Sequence, residues 1–204
     1  MDLKEWLKII KQNKRKLLVS LFFLIVASTI YGLSGDYIAD HIANTAVSPD
    51  LILDHIGPYN LSFIFIWLFL VVIAVGLLYP LIFKPKELPY VLNMFSFFLI
   101  VRSGFVIFTH LRPPVDAVVV HFPLFLNLLN FTNDLFFSGH AGIPFLGFLM
   151  FRRHNRLISY FMLISSFVLG VVVLLMHVHY SIDVFSAYFI TYGIYVIGNK
   201  FVKN

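Results

Sequence analysis

The stretch His177-Val178-His179-Tyr180-Ser181-Ile182-Asp183-Val184 breaks two long apolar runs. The run from Leu157 to Met176 precedes it without a charged residue, and a second apolar run follows it to Ile197. A histidine and an aspartate four apart share one face of a helix. An Asp beside a His can fix its tautomer and stabilise its charged form. Two readings of the pair stand. It is either a buried polar contact that glues helices together or a functional site, the default for an ionisable group inside a membrane segment.

Composition decides the setting. The chain is 60% hydrophobic and 12% charged, with 24 Phe and 10 Tyr, and its mean hydropathy is +0.90. A soluble domain has about twice that charge. In lipid, backbone polar groups must be satisfied within helices or a closed barrel, and the apolar runs are too continuous for barrel strands. The expected fold class is therefore an all-α integral membrane protein, a single catalytic domain without a soluble appendage. The absence of cysteine excludes disulfides and thiolate chemistry. The net charge of +5 falls mostly in short segments beside the membrane, so nucleic acid is not an expected partner.

Six spans are expected, at about 17–32, 61–83, 88–108, 138–151, 157–176 and 180–201. Residues 1–16 form a basic segment with apolar residues at helical spacing, read as an interfacial helix on an anionic leaflet rather than a signal peptide. Residues 202–204 are a tail. Lys4, Lys8, Lys11, Lys14, Arg15 and Lys16 precede the first span. Lys84 and Lys86 follow the second, Arg152, Arg153 and Arg156 the fourth, and Lys200 and Lys203 mark the C-terminus. With six spans all of these lie on one side, so the positive-inside rule makes both termini cytoplasmic. The other side receives residues 33–60, where a short amphipathic helix is expected, residues 109–137 and the loop holding His177 and His179. The apolar stretch 118–129, broken by Pro123, reads as re-entrant or interfacial.

Polar, chemically capable residues converge on that second side. Ser138 is placed to N-cap the fourth helix, Gly139 lets a ligand approach the backbone, and His140 falls in the first turn, where unpaired N–H groups suit phosphate. Arg102, near the outer end of the third span, and Arg112, beside Pro113 and Pro114, could clamp a phosphoryl group. Alternatively, Arg102 pairs with a helix carbonyl or with Asp183, and Arg112 anchors at lipid head groups. His177 and His179, two apart, do not share a helix face, and no cysteine or carboxylate cluster completes a metal site. No metal and no cofactor are expected. His41, His55, His121 and His154 read as surface or interfacial.

Phosphoryl transfer needs such a set: a nucleophile, cations on the equatorial oxygens, and an acid for the leaving oxygen. His179 oriented by Asp183 fits the nucleophile, and His140 fits the acid, which then acts as base toward the acceptor.

These segments resemble the type 2 phosphatidic acid phosphatase superfamily, and most closely its sphingomyelin-synthase-like branch. Asp134 to His140 is similar to that branch's Asp-x-x-Phe-Ser-Gly-His segment. His177 to Val184, followed by Ala187-Tyr188, is similar to its His-x-His-Tyr-Thr-x-Asp-Val segment, with Ser181 in place of Thr. Arg102, Thr109, Leu111, Pro113 and Pro114 resemble a third segment. The resemblance implies a catalytic triad of His140, His179 and Asp183, a phosphohistidine on His179, and a site facing the lumen or exterior. It also places Asp134 and Tyr180 beside the substrate. Ala141 stands where Thr often follows Ser-Gly-His, and Thr132-Asn133 where Cys-Gly is usual. The superfamily's Lys-x6-Arg-Pro motif is absent, because Phe105 lies seven before Arg112.

The expected activity is transfer of a phospho-headgroup from a phospholipid donor to a lipid alcohol, ceramide- or diacylglycerol-like. With water as acceptor the same site is a lipid phosphate phosphatase. A transporter or scramblase using these residues as helix glue is the non-enzymatic alternative. Oligomeric state is not legible.

Overall fold

A computed structural model describes residues 2–42, 45–120 and 135–202. Among them the regular structure is helical: α1 (Leu3–Gln12), α2 (Lys14–His41), α3 (Ser62–Phe83), α4 (Leu88–Phe108), α5 (Gly139–Phe151), α6 (Arg156–Leu175) and α7 (Ser181–Val202), with one 3-10 turn at Leu53–His55. Five of them, α2, α3, α4, α6 and α7, are long and apolar enough to cross a membrane. At 13 residues, α5 is about 20 Å long, against roughly 30 Å of hydrocarbon.

The N-terminal segment forms a helix as expected. The Asp2 side chain accepts from the Glu5 N–H at 2.7 Å, closing its N-terminus, and Asn13 Nδ2 donates to Ile9 O at 3.0 Å at its C-terminus. Trp6 Nε1 donates to the Leu81 carbonyl at 2.7 Å, seating α1 on the end of α3.

The first long helix departs from expectation. It runs 28 residues, about 42 Å, instead of ending near Gly32. Tyr31, Ser34, Gly35 and Ile38 are buried along it, and Ile38 clusters with Val106 of α4. Tertiary packing on α4 thus carries the helix past the apolar run, and residues 33–41 continue α2 rather than open a loop. Residues 45–60 hold only the 3-10 turn in place of a separate amphipathic helix. Of the stretch expected to be re-entrant, 118–120 is irregular and 121–129 lies outside the described residues.

The core is made by α4, α5, α6 and α7 around Met94, Phe98, Ala141, Leu146, Met162, Leu169, Val173 and Ala187, each at most 1% exposed. Close approach is set by small residues, as in membrane helix packing. A Cβ on Gly142 would come within 2.9 Å of both Phe98 and Thr191. The outward faces are apolar instead of charged, with Phe22, Ile25, Phe63, Phe167, Phe189 and Phe201 exposed, a surface suited to lipid.

Contacts distinguish the two ends of the bundle. At one end are the Trp6–Leu81 bond, the His154–Glu87 approach at 3.8 Å and Arg152 over the Tyr195 ring. At the other, Tyr59 N donates to Leu175 O at 2.7 Å and Val118 N to Met176 O at 2.9 Å. These two bonds strap the loops before α3 and after α4 onto the α6–α7 connection.

Candidate active site

The α6–α7 connection is a tight turn with His177 at φ 54°. That left-handed conformation costs a non-glycine residue about 1 kcal/mol, and it sends neighbouring side chains to different partners. His177, 2% exposed, bonds through Nδ1 to Asp116 Oδ1 at 2.9 Å. His179, 5% exposed, meets Asp183 Oδ2 through Nδ1 at 3.3 Å. Asp183 Oδ2 also accepts the Tyr180 N–H at 2.9 Å, so one carboxylate closes the start of α7 and orients the imidazole. Its second oxygen, Oδ1, is buried with no hydrogen-bond partner among the described residues.

The start of α7 is held by a residue of the acidic loop. Asp50 accepts the Ser181 N–H at 2.7 Å and the Ser181 hydroxyl, and also the N–H groups of Ile52 and Leu53 at 2.9 and 3.1 Å. Burial works to raise the Asp50 pKa, but the Ser181 hydroxyl and these N–H donors outweigh it and hold the carboxyl below its ordinary value. The hydrogen bond from His177 likewise lowers Asp116. Tyr180 donates to the Arg112 carbonyl at 2.8 Å and accepts the Ser48 N–H at 3.3 Å. Burial pushes its hydroxyl pKa up.

The start of α5 is tied to the same place. Ser138 N donates to the Asp183 carbonyl at 3.0 Å. Ser138 stands at the N-cap position, but its hydroxyl makes no capping bond and is buried without a partner among the described residues. Gly139 leaves room for a cation: a Cβ there would be 3.4 Å from Arg102 Cζ. Arg102 is 3% exposed. It donates from Nε to the Phe137 carbonyl at 2.8 Å and from Nη1 to the Tyr31 hydroxyl, and it interacts electrostatically with Asp183. The carbonyl that Arg102 bonds belongs to Phe137, which precedes α5 instead of lying within a helix. His140 lies within Coulombic range of His179 and Arg102, its ring packed between Phe65 and Phe69.

Arg102, Ser138, Gly139, His140, His179 and Asp183 therefore form one cluster, with Tyr180 at its rim. Arg112 contributes its carbonyl to Tyr180. Its side chain is exposed and enters none of the site's hydrogen bonds among the described residues. Asp134 lies outside the described residues. Tyr31, Asp50, Phe65, Phe69 and Asp116 were not singled out by sequence. Asp50 and Asp116 carried a signal, as carboxylates in the loops on the side of His177 and His179. Among the described residues no three His, Asp or Glu side chains gather in a way that could hold a metal ion. A cleft of about 530 Å³ opens beside the cluster, lined by Asp50, Asp54, Asp116, His177 and Tyr180 among others.

A helical protein with membrane-grade helices and a buried His, Asp and Arg cluster at one end is equipped for chemistry on a charged group at a bilayer surface. Residues 132–200 match the family model described as PAP2 superfamily C-terminal, about a third of the chain. The matched segment contains His140, His179 and Asp183, so this part of the chain is similar to the C-terminal part of the PAP2 superfamily. No curated protein matches the chain.

Proposed function

We propose that this chain is an integral membrane lipid phosphotransferase that moves a phospho-headgroup from a phospholipid to a lipid alcohol, ceramide- or diacylglycerol-like, through a phosphohistidine. The observation that carries the reading is the His179 Nδ1 contact with buried Asp183, beside Arg102 and His140. With Nδ1 engaged by the carboxylate, Nε2 keeps its lone pair for phosphorus. His179 Nε2 attacks, the N–P bond forms and the P–O bond to the donor lipid breaks. His140 delivers a proton to the leaving oxygen. It then takes the proton of the acceptor hydroxyl, whose oxygen attacks phosphorus as the N–P bond breaks. Arg102 supplies positive charge for the phosphoryl oxygens.

Water in place of the lipid alcohol gives a lipid phosphate phosphatase, and the superfamily match is compatible with both acceptors. The lysine and arginine distribution supports six spans, with α5 completing the bundle, both termini cytoplasmic, and the site on the extracytoplasmic or lumenal face.

The test is a product assay. Purified protein in lipid–detergent micelles receives head-group-labelled phospholipid, with and without ceramide or a diacylglycerol whose acyl chains differ from the donor's. A new labelled lipid that appears only with the alcohol supports transfer, whereas phosphate or phospho-headgroup released regardless of alcohol supports hydrolysis. A folded His179→Ala protein with full turnover refutes the mechanism, and wild-type protein that forms no product with any acceptor favours a transporter or scramblase.

A further inference from the structure

Catalytic imidazoles are usually oriented by a hydrogen bond to one ring nitrogen, as Asp183 does for His179. His140 has no such bond among the described residues. Its ring is instead held between two others. The Phe65 centroid lies 3.9 Å from it at an interplanar angle of 25°, and the Phe69 centroid lies 4.1 Å away at 34°. Phe65 and Phe69 are four apart on α3, so their side chains share one face. Between them His140 cannot tilt without striking one ring, and only its nitrogen-bearing edge is left for polar partners. Among helices bordering the cluster, α3 carries no charged residue. Its contact with the chemistry is this pair of faces.

We propose that Phe65 and Phe69 are positioning residues for His140, clamping its imidazole so that the nitrogen edge meets the phosphoryl site. Simple core packing would demand only apolar volume at these positions. Leucine supplies apolar volume without a flat face or a π system, and tyrosine keeps both. The two explanations therefore separate by substitution.

The inference rests on the acid role proposed for His140. Turnover is measured in lipid–detergent micelles with head-group-labelled phosphatidylethanolamine plus ceramide or a diacylglycerol of different acyl-chain length, and with phosphatidic acid. Phe65→Leu and Phe69→Leu should each lower kcat about tenfold with KM within twofold of wild type, and Phe69→Tyr should restore most of the rate. On a His140→Gln background the leucine substitutions should cause no further loss in the residual rate. Unchanged kcat in the leucine proteins overturns the clamp, as does an equal loss on the His140→Gln background or a failure of tyrosine to restore the rate. If Phe65→Leu, at a 7% exposed position, does not fold, the half-buried Phe69 pair decides alone. A His140→Gln protein with wild-type turnover removes the acid role itself. An inactive His140→Gln protein beside fully active leucine proteins removes only the clamp.

Discussion

The Ser138 N–H donates to the main-chain carbonyl of Asp183 at 3.0 Å. This bond joins the first turn of α5, which carries His140, to the first turn of α7, whose Asp183 orients His179. Two segments more than forty residues apart are thereby fixed at their chemical ends rather than only along their apolar flanks.

Asp183 is 0% exposed, and its role can be split by Asp183→Asn. Asparagine keeps the volume and an oxygen to accept the Tyr180 N–H, so the fold should persist. It removes the negative charge that orients and stabilises a charged His179, and an amide at Nδ1 permits the wrong tautomer. Turnover should fall by about a hundredfold or more while helical circular dichroism is unchanged.

Arg102 gives a second contrast. Arg102→Lys retains a positive charge but not the planar fork that reaches the Phe137 carbonyl and the Tyr31 hydroxyl together. Activity should drop by roughly a hundredfold, the scale of losing one transition-state donor, with the protein still folded. Arg102→Ala also leaves the Phe137 carbonyl and the Tyr31 hydroxyl without this buried donor and should lower thermal stability as well, by about 1–3 kcal/mol. Melting followed by intrinsic fluorescence separates the two variants.

The membrane class and most helix positions were legible because long apolar runs have few other solutions. The His140 and His179–Asp183 segments were legible because ionisable groups stand out against such runs. The C-terminal part of α2 was not legible, because Asp36 and Asp40 make 33–41 look like a loop, and only burial of Ile38 near Val106 shows what continues the helix. Tyr31, Phe65 and Phe69 carried no signal either. In a chain with 24 Phe, two that contact a histidine are indistinguishable from those that face lipid. Arg112 was singled out for its side chain, and nothing in the sequence marked the bond that its carbonyl accepts from Tyr180. Main-chain roles leave no mark on residue type.

Asp50 predicts a pH dependence. Its carboxyl titrates below its ordinary value because donors from Ser181, Leu53 and Ile52 outweigh its burial. A carboxyl lowered in the folded state adds stability that is present above its unfolded pKa. That stability is lost as pH falls through the folded value. Wild type should therefore lose thermal stability on acidification through and below the ordinary carboxylate range, and Asp50→Asn should lose less over the same window. Asp116 is lowered too, by its bond to His177, and contributes with the same sign in both proteins, so the difference between them isolates Asp50. At neutral pH, Asp50→Ala should cost about 1 kcal/mol, as loss of a helix cap does.

Two glycines three residues apart on α5 should fail differently when given one methyl group. At Gly142 the new Cβ would lie 2.9 Å from both Phe98 and Thr191. Phe98 is 0% exposed and Thr191 is 0% exposed, so neither has room to yield. Gly142→Ala should then separate α5 from α4 and α7 and destabilise the protein by about 1–3 kcal/mol, the usual cost of overpacking. At Gly139 the Cβ would be 3.4 Å from Arg102 Cζ and 3.5 Å from Nε, an ordinary van der Waals contact that the packing accepts. The methyl group would instead fill the space over the guanidinium of the proposed phosphoryl clamp. Gly139→Ala should therefore melt close to wild type while losing about tenfold or more in turnover, since crowding a positioned group is costly to rate. If Gly139→Ala instead loses stability and keeps its specific activity, Arg102 is not set against Gly139 for catalysis, and the glycine serves packing alone.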